Sequence, residues 1–448
     1  MCNMYAILKR KYINLVTDKK FSEILTGSAW ALPARLLATA LNFISSIIIA
    51  RFYGADVVGI VAVINAFLML ASIATALGTP TSILRLIPEH IVQYSYSSAY
   101  RIYRKVIYLV FGASIVASFF LYISSNWVAE EIFSKPHLGK YIAMASVFIF
   151  FKSIILVNTE SIRGIKFIRI FALMLILQQS INIVLLIILR VITVSQDIPI
   201  VALLLSYGLT GIFGLIVMEF GFKKKKKTND LIYDTSYVKI FDLSIPMLVA
   251  TGMDVIITQA GIIILGVFWT ETEVGYFSIA FKLASLTIFP LGAINSMAAP
   301  KFSELYHTKK ISELFHVAKK SSKLIFVIST PILLGFVIFG NLFLKYMFGH
   351  EYSTAYVALF LLVVGYYISS ICGSTGIFMN MTGNQVGFRN IMSVATIINI
   401  LLNFLLIPQY GINGAAFTLM TTVVFWNINV LIFIKRRFGE TIGYCPGF

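Results

Sequence analysis

Acidic residues are scarce in this chain. Nineteen Asp and Glu stand against 36 Lys and Arg, and charged residues make up only 12% of the 448 positions. With 58% hydrophobic residues and a mean hydropathy of +0.88, there is too little polar surface to cover a water-soluble domain of this length. Cysteine is equally sparse: Cys2, Cys372 and Cys445 show neither CxxC nor metal-ligand spacing, so we expect no disulfide and no metal site. The absence of a GxxxxGK[ST] loop argues against ATP hydrolysis by a phosphate-cradling turn. Residues 1–26 contain basic clusters but no apolar core followed by a cleavage site, so a surface-lying amphipathic helix is expected there instead of a signal peptide. The longest predicted non-cytoplasmic loop, about 125–140, carries Glu130, Glu131 and His137 but is too short for a catalytic domain, and these read as a solvated interfacial turn. No catalytic residue and no cofactor is assigned, and the chain is not expected to be an enzyme.

What fills the chain is a series of apolar runs long enough to cross about 30 Å of hydrocarbon. Twelve spans are predicted near 28–50, 57–79, 106–124, 141–157, 170–189, 199–219, 244–268, 274–297, 322–343, 356–379, 390–407 and 412–434. Most of the 36 basic residues, including the run Lys223 to Lys227, then fall in the N-terminal segment, the even-numbered loops and the tail. Only Arg51, Lys135, Lys140, Arg190 and Lys345 fall in the odd-numbered loops. The positive-inside rule puts the rich side, with both termini, in the cytoplasm of a plasma (inner) membrane protein. A net charge of +17 raises nucleic acid as a partner, but the charge is spread along one membrane face instead of lining one groove with aromatics, so none is expected.

The two halves resemble each other. A shift of 216 residues places Ser28 on Ser244, Leu32 on Leu248, Ala34 on Ala250, Ile47 and Ile48 on Ile263 and Ile264, Phe52 on Phe268, and Val58-Gly59 on Val274-Gly275, without a gap. Both copies read span, short turn, Val-Gly, span. The expected fold is all-α and membrane-integral, with two six-helix lobes of the same orientation. Its expected parts are a cytoplasmic N-terminal segment 1–27, an N-lobe 28–219, a basic linker 220–243, a C-lobe 244–434 and a cytoplasmic tail 435–448.

The segments IIIARFYGADVVGIVAVINAF and ALGTPTSILRLIPE, then ESIRGIKFIRIFAL at 160–173, resemble the polysaccharide (O-antigen or capsule) repeat-unit flippases. These are grouped with multidrug-extrusion (MATE) transporters and lipid II flippases. The likeness continues through 244–283 and through NIMSVATIINILLNFLLIPQYGINGAAFTL at 390–419. It implies a MATE-like fold and movement of polyprenyl-diphosphate-linked oligosaccharide for O-antigen (lipopolysaccharide), capsule or exopolysaccharide synthesis. It also implies membrane lipid as a partner, proton or sodium as candidate coupling ions, and polymerase machinery as a candidate downstream partner. The family commonly carries an Asp five residues before the Leu-Gly glycine of the seventh span; this chain has Gly261 there and its acid at Asp254, about two helical turns away.

Charges inside spans are costly unless they face protein or water. Arg35 and Lys282 are expected to form a cationic site for a diphosphate, and Asp254 to pair one of them when the site is empty; a purely structural Arg35–Asp254 pair is the competing reading. Lys152 is expected to snorkel. Among the uncharged polar residues, Asn42, Asn65, Gln259 and Asn295 are the sugar-contact candidates, while Gln178, Gln179, Asn182, Asn399 and Asn403 read as interhelical hydrogen-bonding groups. Pro33, Pro246 and Pro290 mark bends. A multidrug exporter on the same fold should prefer an acidic cavity. An enzyme of glycan assembly should depend on Glu130, Glu131 or His137.

Overall fold

The computed structural model describes residues 19–225 and 233–444. The expected amphipathic segment up to residue 18, Cys2, Cys445, and Lys226 and Lys227 of the lysine run lie outside the described residues. Among the described residues there is no strand. The helices are α1 (Lys19–Ala76), α2 (Thr79–Gln93), α3 (Tyr96–Trp127), α4 (Leu138–Val147), α5 (Ile149–Gly164), α6 (Ile168–Ile192), α7 (Ile198–Lys225), α8 (Tyr237–Phe268), α9 (Glu271–Ser285), α10 (Phe289–His307), α11 (Ile311–Phe343), α12 (Tyr356–Cys372), α13 (Thr375–Met381) and α14 (Gln385–Phe438). Helix is the form in which a single apolar segment satisfies its own backbone without water.

Among the described residues, nine helical stretches are long and apolar enough to cross a membrane, and the α4/α5 pair, bent by 45°, makes a tenth. Two of the nine, Pro33–Ala76 and Gln385–Phe438, hold 44 and 54 residues. Straight, they would measure about 66 and 81 Å, more than twice the hydrocarbon thickness. Each is interrupted by a glycine in a conformation no other residue adopts easily: Gly54 at φ 88°, ψ 172° and Gly411 at φ 53°, ψ −130°. Counting each as two passes is consistent with the expected twelve.

The repeat is visible in local geometry. A π-helical turn at Val128–Ile132 has its counterpart at Leu344–Phe348, offset by the same 216 residues as the sequence repeat. These turns, Gly54, Trp269 and Gly411 share one end of the bundle, the turn end. Residues 233–236, which lead into α8, lie at the other, the linker end. At the turn end and through the middle, one apolar core runs through both halves, with Val58, Ile64 and Phe133 packed among residues such as Leu265, Phe277 and Leu362. Towards the linker end it gives way to two separate cores. One is built around Ile87, Tyr103 and Phe222, the other around Phe302, Phe315 and Phe378. The apolar core is therefore continuous at the turn end and divides at the linker end, where the start of α8 still packs on α2, with Ser82 Oγ 2.6 Å from Ser244 Oγ.

The turn-end contact is tightest at the repeated Val-Gly. A Cβ on Gly59 would lie 1.8 Å from the Glu271 carbonyl oxygen, and one on Gly275 would lie 2.1 Å from that of Ala55. Only hydrogen allows this crossing. At the linker end, residues 233–237 are seated on the first half. Tyr233 stacks on Tyr94 at 4.4 Å, His90 Nε2 lies 2.8 Å from Thr235 Oγ1, and Lys105 pairs with Asp234 at 2.8 Å. The hydrogen bond from Lys105 holds the Asp234 carboxyl below its usual range.

Candidate functional site

On the arm of α1 before Gly54, Arg35, Thr39, Asn42 and Ser46 recur at intervals of four, three and four and so share one helix face. Two of the hydroxyls are satisfied within the helix: Thr39 Oγ1 donates to the Arg35 carbonyl at 2.8 Å and Ser46 Oγ to the Asn42 carbonyl at 2.9 Å. The start of α9 is fixed by Thr270, whose side chain accepts from the Glu273 N–H, with Glu271 and Glu273 in the first turn. Past Ser285, α9 gives way to a 3₁₀ turn at Leu286–Ile288, and Pro290 opens α10. The bend expected at Pro290 thus falls a few residues beyond Lys282.

These elements enclose a cavity of about 340 Å³ lined by Ala38, Thr39, Asn42 and Phe43 of α1, Leu175 and Gln179 of α6, and Lys282 and Ser285 of α9. Lys282 is half-buried, and its Nζ donates to Ser46 Oγ at 2.8 Å. Among the described residues no carboxylate lies within 4.0 Å of it. Lys282 stands eleven residues past the start of α9 and Asn42 twelve before Gly54, about 17–18 Å from the turn end and so near mid-membrane depth. An ammonium without a counter-ion, beside two amides and two hydroxyls, suits an anion carrying hydroxyl or amide groups.

Of the residues singled out from sequence, the structure brings Lys282 and Asn42 into this cavity. Arg35 does not line it; it is exposed one turn nearer the linker end on the same face of α1. The expected Arg35–Asp254 pair is not formed, because no ion pair joins these two described residues. Asp254 is exposed on α8, next to Met253, whose sulfur accepts from Ser393 Oγ. Asn65 lies within the first half, accepting a 2.6 Å hydrogen bond from Tyr207, and the half-buried Lys152, expected to snorkel, sits 3.9 Å from that tyrosine's ring centroid. Gln259 is buried on α8, and Asn295 lies on α10 with its Oδ1 unpartnered. Asn399 and Asn403 are buried; Asn403 donates to Asn399 Oδ1 on the same arm of α14 at 3.0 Å, and Asn399 donates to Thr422 Oγ1 on the arm beyond Gly411 at 3.1 Å, within the second half. Sequence reasoning missed Thr39, Ser46 and Ser285 and placed Gln179 with interhelical groups. The spacing of 35, 39, 42 and 46 was the available signal for the first two.

Fold and cavity together define a multi-pass helical membrane protein with the architecture of the MATE transporters. The chain superposes on an inward-facing multidrug resistance MATE family transporter of the MOP superfamily with a TM-score of 0.73, over 92% of this chain and 98% of that one, at 15% identity. Residues 48–357 match the family described as polysaccharide biosynthesis protein, and the chain belongs to that family. Similar curated proteins include the probable low-salt glycan biosynthesis flippase Agl15 of Haloferax volcanii, 24% identical over 41% of this chain and 40% of that protein. The capsular polysaccharide biosynthesis protein CapF of Staphylococcus aureus is 28% identical over 52% of this chain and 60% of its own length. The chain thus spans about half the length of these relatives.

Proposed function

We propose that this protein is a flippase that moves polyprenyl-diphosphate-linked oligosaccharide repeat units across the plasma membrane, for assembly of a surface polysaccharide, by alternating access. The observation that carries this reading is the Lys282 ammonium, without a counter-ion among the described residues, in a polar cavity between the two halves. The names of the related glycan flippases support it. With the orientation expected from the basic loops, the linker end faces the cytoplasm. Arg35 at the cavity mouth and Lys282 within it attract the diphosphate, Asn42, Gln179, Thr39 and Ser285 meet the first sugar, and the lipid tail stays in the bilayer. The bodies 28–219 and 244–434 then rock so that the linker end closes and the turn end opens to the outside. Asp254, exposed and without an ion pair among the described residues, is the group we assign to a coupling proton or sodium ion. A cavity whose one charged lining residue is cationic disfavours cationic drugs as substrates.

The test is to delete the gene in its native host and measure the amount and sidedness of lipid-linked oligosaccharide. Unpolymerised units should accumulate on the cytoplasmic leaflet and fall when the wild-type gene is restored. Unchanged pools in the deletion strain would refute the flippase reading.

A further inference from the structure

The turn end is held by more than apolar contact. Lys135, in the loop after the π-helical turn of the first half, reaches across to the α8–α9 turn of the second. Its Nζ donates to the carbonyls of Gly266 and Trp269 at 3.0 and 2.6 Å and lies 3.6 Å from Glu271 Oε1. Two residues on, His137 Nε2 is 3.0 Å from the same oxygen. One ammonium thus caps the C-terminal carbonyls of α8 and meets the first acidic residue of α9. Glu271 Oε1 is buried and has no aligned hydrogen bond, so these two cationic or ionisable groups are what it has in place of water. Lys135 and Glu271 side chains are 16% and 17% exposed while His137 is 52% exposed, so the pair is sheltered behind an imidazole that water can reach. Burial lowers the Lys135 ammonium's pKa and the Glu271 charge opposes that shift.

The repeat supplies a comparison. Across the pseudo-two-fold, the turn between the two arms of α1 is met by the second half's π-helical turn, where Arg51 donates to the carbonyls of Tyr346 and Met347. That contact is exposed and, among the described residues, contains no carboxylate. The two clasps occupy equivalent places with unequal chemistry. The more buried one also sits on a strained loop. Ser134, beside Lys135, holds φ 53°, a left-handed conformation that a non-glycine residue rarely adopts.

We propose that Lys135, His137 and Glu271 form a releasable clasp that holds the turn end shut, so that breaking it shifts the protein towards a state open at that end. The contact is polar and partly wet, and can therefore be broken and remade, whereas the continuous core behind it supplies cohesion in the closed state. The purpose assigned to it rests on the transport reading above; the conformational bias does not. His137 is accordingly a positioning residue that keeps one side in water, in line with the solvated turn expected there, while its Nε2 meets Glu271.

The experiment is double electron–electron resonance in nanodiscs without substrate. Cys2, Cys372 and Cys445 are replaced by serine, and spin labels are placed at Glu131→Cys and Glu351→Cys on opposite halves of the turn end. Glu271→Gln and Lys135→Met should each raise the ratio of long to short distances by about tenfold, and Glu130→Gln should leave it alone. Glu271→Asp, which keeps the charge but withdraws it by one methylene, should fall between and serves if Glu271→Gln does not elute as a single species. Distances unchanged from the parent in Glu271→Gln or Glu271→Asp would overturn the clasp. Shifted distances in a protein that fails the deletion test would sink the flippase reading and leave the clasp standing.

Discussion

Lys282→Met separates a binding role for the cavity lysine from a structural one. Among the described residues its Nζ has one hydrogen-bond partner, Ser46 Oγ at 2.8 Å, and Ser46 keeps its own bond to the Asn42 carbonyl when the lysine is gone. Methionine matches much of the stem, so the substitution removes a half-buried cation without opening a large void. Folding should therefore be unharmed or slightly favoured, because an uncompensated charge at membrane depth is a cost that the variant no longer bears. Binding should behave oppositely. A charge-assisted hydrogen bond to a diphosphate contributes about 1.5–3 kcal/mol, so affinity should fall about 10- to 100-fold. The assay is paired: calorimetric titration of the nanodisc-embedded protein with a short-chain polyprenyl-diphosphate sugar, and thermal melting of the same sample. Lys282→Arg should retain most of the affinity. A variant that melts several degrees lower and binds as well as wild type would show that the lysine serves structure, and would refute the anion-site argument.

Other outcomes follow from the geometry. Gly59→Ala and Gly275→Ala each place a methyl group against backbone carbonyl oxygen, at 1.8 and 2.1 Å; each should cost about 1–3 kcal/mol in thermal melts, while Gly112→Ala, with nothing within 4 Å, should be neutral or better. Alanine at Glu130 or Glu131, both exposed, should leave repeat-unit transport in reconstituted vesicles unchanged, whereas loss of activity would favour an enzyme. Asp197, in the loop between α6 and α7, is held below the usual carboxyl range by hydrogen bonds from Tyr141 and then Lys140. With its folded pKa depressed, its stabilising contribution is complete above the unfolded value of about 4 and disappears as pH falls through the lower folded value. The melting difference between wild type and Asp197→Asn should be full at neutral pH and close in acid; a difference that persists unchanged would contradict this.

The helices were legible because hydrocarbon leaves an apolar chain few alternatives, and the internal repeat was legible because both halves turn at the same Val-Gly. The 216-residue offset reappears in the paired π-helical turns, which no composition signal marks. The cavity was only partly readable. Lys282 stood out as a charge where charge is expensive, and Asn42 as an amide on the same kind of span. Gln179 and Ser285 belong to it because α6 and α9 meet α1 at particular rotations, and rotation about a helix axis is set by packing partners far away in sequence. Repeat coordinates also suggested a partner for Arg35 in Asp254, but proximity in those coordinates does not fix distance in space, and no ion pair joins these two described residues. His137 is exposed, as its turn suggested, but its contact with Glu271 was not readable because that partner lies on the other half.

The glycine crossing also bears on how the chain is made. Gly59 packs against a segment whose own glycine, Gly275, is translated 216 residues later. At ordinary synthesis rates that interval is on the order of 10–40 s. Throughout it, the first half sits in the bilayer with its tightest contact surface facing lipid, or any other helix with a small residue to offer. Correct assembly is thus a race in which the second half must arrive before a neighbouring protein fills its place.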